Sequence, residues 1–191
     1  MSNAELPGIH AHEDVELFRE AVQFTAAESG FAARLIEKDY FCTVLLAYLS
    51  GAADNELVFK GGTCLAKVHA KLYRLSEDLD YTISVPVDAP RKERSSRVES
   101  VKAALSGLKK AVSAFRVIEA LKGANKSTQY LASVGYNSLI SQQEEIIKIE
   151  VSLREPLRML AVSGEAQTLL RNPATNNPMV MPMALRCIDK T

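Results

Sequence analysis

Two aspartates one residue apart, Asp78 and Asp80, open the run Asp-Leu-Asp-Tyr-Thr-Ile-Ser, whose alternation predicts a strand over 78–84. A strand period of two puts both carboxylates on one face. Carboxylates aimed the same way repel one another unless a cation lies between them, and such hard oxygen ligands suit Mg²⁺. Just upstream, residues 56–60 predict a short strand that breaks at Gly61-Gly62 into a helix over about 63–71. A strand turning through glycines into a helix exposes backbone N–H groups where the helix dipole favours an anion such as phosphate. Thr63 adds a hydroxyl at that mouth, and Lys67, one helical turn on, adds a cation for phosphate charge. A third acid comes from Ile146-Ile147-Lys148-Ile149-Glu150-Val151, where alternation puts Lys148 and Glu150 on one face of a strand. Such a set can clamp the attacking and leaving oxygens of an in-line nucleotidyl displacement. Each piece alone also reads plainly: the glycines as a turn, the acids as a solvated sheet face, Lys67 as a solvated lysine.

The elements that position these groups follow from periodicity. Helices are predicted over 13–28, stopped by Ser29-Gly30, and over 32–50, stopped by Gly51. Within the second, Lys38 and Asp39 read as an ion pair docking the helix onto the sheet, with nucleotide orientation as the other reading. Residues 91–121 read as one or two charged helices. Their cations Arg91, Lys92, Arg94, Arg97, Lys102, Lys109, Lys110 and Arg116 form either a track for an RNA backbone or a solvated face. Two strands, 128–137 and 145–153, flank a polar turn, residues 172–178 are loop, and 180–183 is a last short strand before a helix from 184. The order ααβαβαββ gives an α/β (α+β) domain with a small mixed sheet flanked by helices.

The bulk properties narrow the class. The 191 residues fit one domain, 1–191, with Ser2-Asn3-Ala4 set aside as a tag remnant within 1–4. It divides into N-terminal helices (12–51), a catalytic sheet with its helices (56–155) and an incomplete C-terminal region (156–191). Lys plus Arg equals Asp plus Glu at 23 each, which excludes a protein that binds nucleic acid by bulk charge. No apolar run approaches the roughly 18 residues of a membrane helix and no signal peptide opens the chain, so a cytoplasmic location is expected. Cys42, Cys64 and Cys187 are odd in number and scattered, and with His10, His12 and His69 they argue against a disulfide framework or a zinc site.

The stretches Ile36-Glu37-Lys38-Asp39-Tyr40, Phe59-Lys60-Gly61-Gly62-Thr63-Cys64-Leu65-Ala66-Lys67 and Arg74-Leu75-Ser76-Glu77-Asp78-Leu79-Asp80 together resemble the AbiEii family. These are the toxin nucleotidyltransferases of abortive-infection and type IV toxin–antitoxin systems, with the fold shared by DNA polymerase β. The resemblance covers residues 30–85 clearly and 145–155 weakly. It implies a nucleotidyltransferase-like mixed sheet and transfer of a nucleotidyl group from a nucleoside triphosphate (NTP), with Mg²⁺ or Mn²⁺ as cofactor. It also implies tRNA or another RNA as acceptor and a cognate antitoxin as partner. By motif match Gly61, Gly62, Thr63, Lys67 and Ser76 would bind nucleotide, and Asp78, Asp80 and Glu150 would hold metal. Lys148 would join those three acids as a catalytic position. The family continues into a Lys-bearing helical region, whereas this sequence ends at Asp189-Lys190-Thr191, so its C-terminal helical part is expected to be truncated. Two alternatives stay open: a nucleotidyltransferase with a small-molecule, antibiotic-type acceptor, and a non-catalytic nucleotide-binding module.

Overall fold

The computed structural model describes residues 9–53, 56–70, 77–86, 88–154 and 161–189. Two long helices come first. Helix α1 (Val15–Ser29) is capped by the Asp14 carboxylate, which accepts from the Leu17 N–H, and it ends on Gly30 in the left-handed conformation. Helix α2 (Ala33–Ala52) is buried along most of its length, from Ile36 to Ala47. From Tyr40 to Ala47 it is almost wholly apolar, as suits a helix inside a core, while Glu37, Lys38 and Asp39 are buried as charged groups. Phe18, Tyr40 and Phe41 pack edge to face, and Phe41 stacks on Tyr136 with ring centroids 4.0 Å apart.

Strand β1 (Val58–Lys60) leads into α3 (Gly61–Cys64), which widens into a π-helical turn over Leu65–His69. Strand β2 (Leu79–Ser84) follows, then the helices α4 (Arg91–Ser96) and α5 (Glu99–Ala111). Five further strands complete the described chain: β3 (Phe115–Ala124), β4 (Gln129–Asn137), β5 (Glu144–Arg154), β6 (Ala161–Ala166) and β7 (Met183–Ile188). They form one mixed sheet in the order β3-β4-β5-β2-β1-β7-β6. The β2/β5 and β1/β7 pairs are parallel and the others antiparallel.

One face of the sheet carries Leu79, Tyr81, Ile83, Ile147, Ile149, Val151 and Leu153, all buried. The opposite face of β2 and β5 carries Asp80, Lys148 and Glu150. The alternation predicted for these strands therefore holds, and it separates core from chemistry residue by residue.

Three expectations are corrected. Residues 115–121 are strand, not helix, because the β-prone Phe-Arg-Val-Ile run pairs with β4. That takes Arg116 off the helices and pairs it with Glu144, while Arg97 pairs with Glu56 and Lys102 with Glu99. Residues 180–182 lie outside any strand and 184–188 are strand, not helix: β7 begins at Met183, alternates Met183, Leu185 and Cys187 inward and pairs with both β6 and β1. Strand β6 was not anticipated, since Ala-Val-Ser-Gly-Glu-Ala has little apolar alternation and acquires its shape from pairing with β7. Among the described residues no helix is long and apolar enough to cross a membrane.

Candidate active site

The site is assembled where β1, β2 and β5 lie side by side. Lys60 is the register partner of Asp80, and Asp80 is the register partner of Glu150. Register neighbours point to the same face, so Lys60, Asp80 and Glu150 form one row across three strands. Asp78 precedes Asp80 by two residues at the mouth of β2 and is exposed, and Lys148 precedes Glu150 by two and is exposed.

The glycine turn meets this row directly. Gly61 has φ +78, and a Cβ built on it would lie 2.3 Å from Asp80 Oδ2 and 2.9 Å from Asp80 Cβ. Glycine is required twice at this position, for the left-handed conformation and for the approach to the carboxylate. The turn that begins α3 and the aspartate of β2 thus share one rim of the sheet. Gly61 and Gly62 are both exposed and begin a helical stretch, whose first N–H groups have no partner within the helix.

The electrostatics follow from this crowding. Burial pushes the half-buried Asp80 carboxyl above its ordinary value; Glu150 and Asp78 push it the same way, and the Lys60 cation opposes them. Lys60 Nζ lies 3.9 Å from Glu150 Oε1, and the Ser152 hydroxyl donates to the same oxygen at 2.8 Å. Three carboxyl groups therefore bear on one patch against two strand-borne lysines, Lys60 of β1 and Lys148 of β5. That excess of negative charge fits a divalent cation. The three carboxylates do not converge as tightly as a closed metal cage. Among the described residues the one trio of ligand atoms within 4.8 Å of one another is that of Cys64, His69 and Cys187. The scattering of those residues in sequence argued against a disulfide framework or a zinc site; the three cysteines are free, and the fold brings this trio together.

Two nucleotide-binding expectations need correction. Thr63 is buried, and its hydroxyl donates to the backbone carbonyl of Asp78, so it ties the turn to the start of β2 instead of facing a ligand. Lys67 is also buried, with its ammonium paired to the Asp39 carboxylate and donating to Thr43 Oγ1 at 2.7 Å. It points into the core, because Ala66 and Lys67 fall on the inner side of the π-turn. Ser76 lies outside the described residues.

Lys38 and Asp39 are both buried and ion-paired, as docking groups should be, but with other partners than each other. Lys38 pairs with Glu77, beside Asp78, and Asp39 with Lys67. Lys60 is the site residue that sequence reasoning passed over. Its signal was its place one residue before the glycine turn, at the end of a strand facing the aspartates.

Residues 44–185 match the family described as nucleotidyl transferase AbiEii toxin, type IV TA system. Among solved structures, the Helicobacter pylori protein JHP933 is similar at 19% identity and a TM-score of 0.43, over 76% of this chain and 49% of that one. A second H. pylori structure, described as a candidate nucleotidyltransferase, is similar at 19% identity and a TM-score of 0.44, over 76% of this chain and 51% of that one. The chain thus spans about half the length of each of these two. No curated protein matches.

Proposed function

The chain belongs to the AbiEii family of nucleotidyl transferase toxins, and from that premise we propose that it transfers a nucleotidyl group from an NTP to an RNA acceptor of the tRNA class. The observation that supports this reading best is the contact between Gly61 and Asp80, which joins an exposed glycine turn to the acid row.

In this reading the triphosphate lies along Gly61 and Gly62, whose first-turn N–H groups donate to phosphate oxygens. The exposed Lys148 takes the role that Lys67, held in the core, does not fill, and sets a cation on the acid-bearing face. Asp78, Asp80 and Glu150 hold divalent metal, Mg²⁺ or Mn²⁺, which when bound neutralises phosphate charge and polarises the reacting oxygens. The acceptor hydroxyl attacks the α-phosphorus in line. The new P–O bond forms as the bond to the α–β bridging oxygen breaks, pyrophosphate leaves, and the hydroxyl proton passes to Glu150. Ser152 orients Glu150 for this by its hydrogen bond, and Lys60 flanks the same oxygen. An antitoxin encoded beside it is the expected genetic partner for a chain of a type IV toxin–antitoxin family.

The test incubates the folded chain with each of four α-labelled triphosphates, Mg²⁺ or Mn²⁺, and total RNA. Label is expected in tRNA-sized material from one triphosphate or a subset of them, and Asp78→Asn, Asp80→Asn and Glu150→Gln are each expected to remove it with the circular dichroism spectrum unchanged. Transfer at the parent rate by both aspartate variants, or label in small molecules and none in RNA, refutes the reading.

A further inference from the structure

A second cluster of reactive side chains lies at the C-terminal end of α3. Cys64 closes α3, Cys187 is on β7, and His69 ends the π-turn; the two sulfurs and a ring nitrogen are within 4.8 Å of one another. Both cysteines are buried and His69 is half-buried. The sites differ in chemistry: the acid row is hard oxygen, whereas this trio is soft sulfur with imidazole.

Three local features converge on the trio. Residues five apart in an α-helix lie roughly 140° apart around the axis, which would separate Cys64 from His69. Here the Ala70 N–H bonds back to the Leu65 carbonyl at 2.7 Å, and this wider turn brings His69 round to the side of Cys64. His69 Nε2 lies 2.9 Å from the Ile188 carbonyl. A carbonyl only accepts, so Nε2 carries the proton, and in the neutral ring the lone pair is on Nδ1. Metal-bound histidines are commonly oriented by such a backbone carbonyl. Finally, a Cβ on Gly164 of β6 would lie 2.7 Å from Cys187 Sγ and 2.5 Å from Val68 Cγ1, so the absence of a side chain there makes room for the thiol.

We propose that Cys64, His69 and Cys187 bind a Zn²⁺ ion that clips the helix after the glycine turn to strand β7. Tetrahedral zinc holds two thiolates roughly 3.8 Å apart and an imidazole nitrogen slightly closer, from Zn–S of about 2.3 Å and Zn–N of about 2.0–2.1 Å. The three ligand atoms, all within 4.8 Å of one another, draw in by up to about 1 Å to meet this. The fourth position is taken by water, on the side where His69 reaches the surface. Each ion displaces the two S–H protons, so binding releases two protons and forms two Zn–S bonds. Burial pushes both thiols up, Cys64 to about 12 and Cys187 in the same direction. The clip fixes β1, α3 and β7 relative to one another, and Cys64 is two residues beyond Gly62. This proposal stands independently of the transfer reaction.

The test uses the full chain, purified with reductant from zinc-supplemented cells, and measures metal per chain by mass spectrometry. One equivalent of zinc is expected. After removal with a chelator, cobalt titration is expected to give a thiolate-to-cobalt charge-transfer band and intense tetrahedral d–d bands, saturating at one equivalent. His69→Gln keeps an N–H for the Ile188 carbonyl and is expected to weaken cobalt binding tenfold or more. Cys187→Ser is expected to reduce the charge-transfer band. Because Cys187 is buried and its variant can misfold, His69→Gln and the parent titration decide the matter. A folded, fully reduced parent chain without metal and without a cobalt–thiolate band overturns the proposal. So does a Cys64–Cys187 disulfide in protein isolated without reductant, or a His69→Gln variant that binds cobalt like the parent.

Discussion

Replacing Gly61 by alanine tests the geometry of the active site at its tightest point. Two costs arise, and a second glycine separates them. Gly30, at the end of α1, has φ +74 and nothing within 4 Å of a built Cβ, so Gly30→Ala incurs only the left-handed backbone cost of about 1–2 kcal/mol. Gly61 has φ +78 and bears the same cost, and its added methyl also meets Asp80 Oδ2 at 2.3 Å and Asp80 Cβ at 2.9 Å. The carboxylate oxygen can rotate away, but Asp80 Cβ is fixed to the β2 backbone, which pairs on both sides with Lys60 and Glu150. Relief therefore requires strand or turn to shift, at a further roughly 1–3 kcal/mol by analogy with overpacked sites. The gain from a stiffer unfolded chain is common to both variants and cancels in the comparison. Urea denaturation of both, with unchanged m-values, should place Gly61→Ala below Gly30→Ala by that margin. Nucleotide transfer by the folded fraction should fall by on the order of 10²-fold in Gly61→Ala, as expected for an ångström-scale misplacement, and stay at the parent level in Gly30→Ala. Equal destabilisation within about 0.5 kcal/mol, the usual error of additivity, refutes the claim that the glycine turn abuts Asp80.

Two more outcomes follow from buried groups. Lys67→Met leaves the Asp39 carboxylate in the core without its cation and should cost about 3–5 kcal/mol, read from the urea midpoint. Triphosphate affinity of the folded variant, measured by calorimetry, should be unchanged; weakened binding would return Lys67 to the phosphate site. Burial holds the His12 imidazole below its usual 6.5, outweighing the pull of Glu13. The unfolded chain then takes up a proton that the folded chain refuses, so stability present above about pH 6.5 is lost as the pH falls. His12→Gln should flatten that loss between pH 7.5 and 5.5, and an unaltered pH profile would show that His12 is not its source.

The acid row was legible because strand alternation is a short-range signal. Asp78, Asp80, Lys148 and Glu150 declare their face within a few residues, and pairing of β2 with β5 only had to bring two correctly faced strands together. Lys67 and Thr63 were misplaced because their spacing from the glycines is compatible with both sides of a helix. What decides the side is the depth of α2, whose Asp39 and Thr43 take the Lys67 ammonium. Residues 115–121 and 184–188 were misread because strand pairing with β4, β6 and β1 is non-local and outweighs weak local propensity. The trio of Cys64, His69 and Cys187 had no sequence signal at all. It depends on a π-turn and on a strand more than a hundred residues away.

The three consecutive charged residues of α2 show how such distant segments are held in register. Successive helical residues point about 100° apart, so Glu37, Lys38 and Asp39 fan out in three directions from one turn. Glu37, fully buried, accepts from the Ser138 hydroxyl and from the Leu139 N–H at 2.7 Å, which fixes the turn between β4 and β5. Its carboxyl is pushed up by burial in spite of those donors. Lys38 reaches Glu77, next to Asp78. Asp39 holds Lys67 on one oxygen, and on the other it accepts from Thr168 Oγ1 at 3.2 Å and the Leu169 N–H at 3.0 Å, just past β6. An apolar helix could pack against these segments but could not specify which backbone group meets which side chain. Buried charges do so, because any mismatch leaves one of them unpaired in the core. The strand bearing Asp80, the turn that leads into the strand bearing Glu150, and the helix after the glycine turn are thereby each tied to one turn of α2. The acid row keeps its register through that shared anchor as well as through the hydrogen bonds of the sheet.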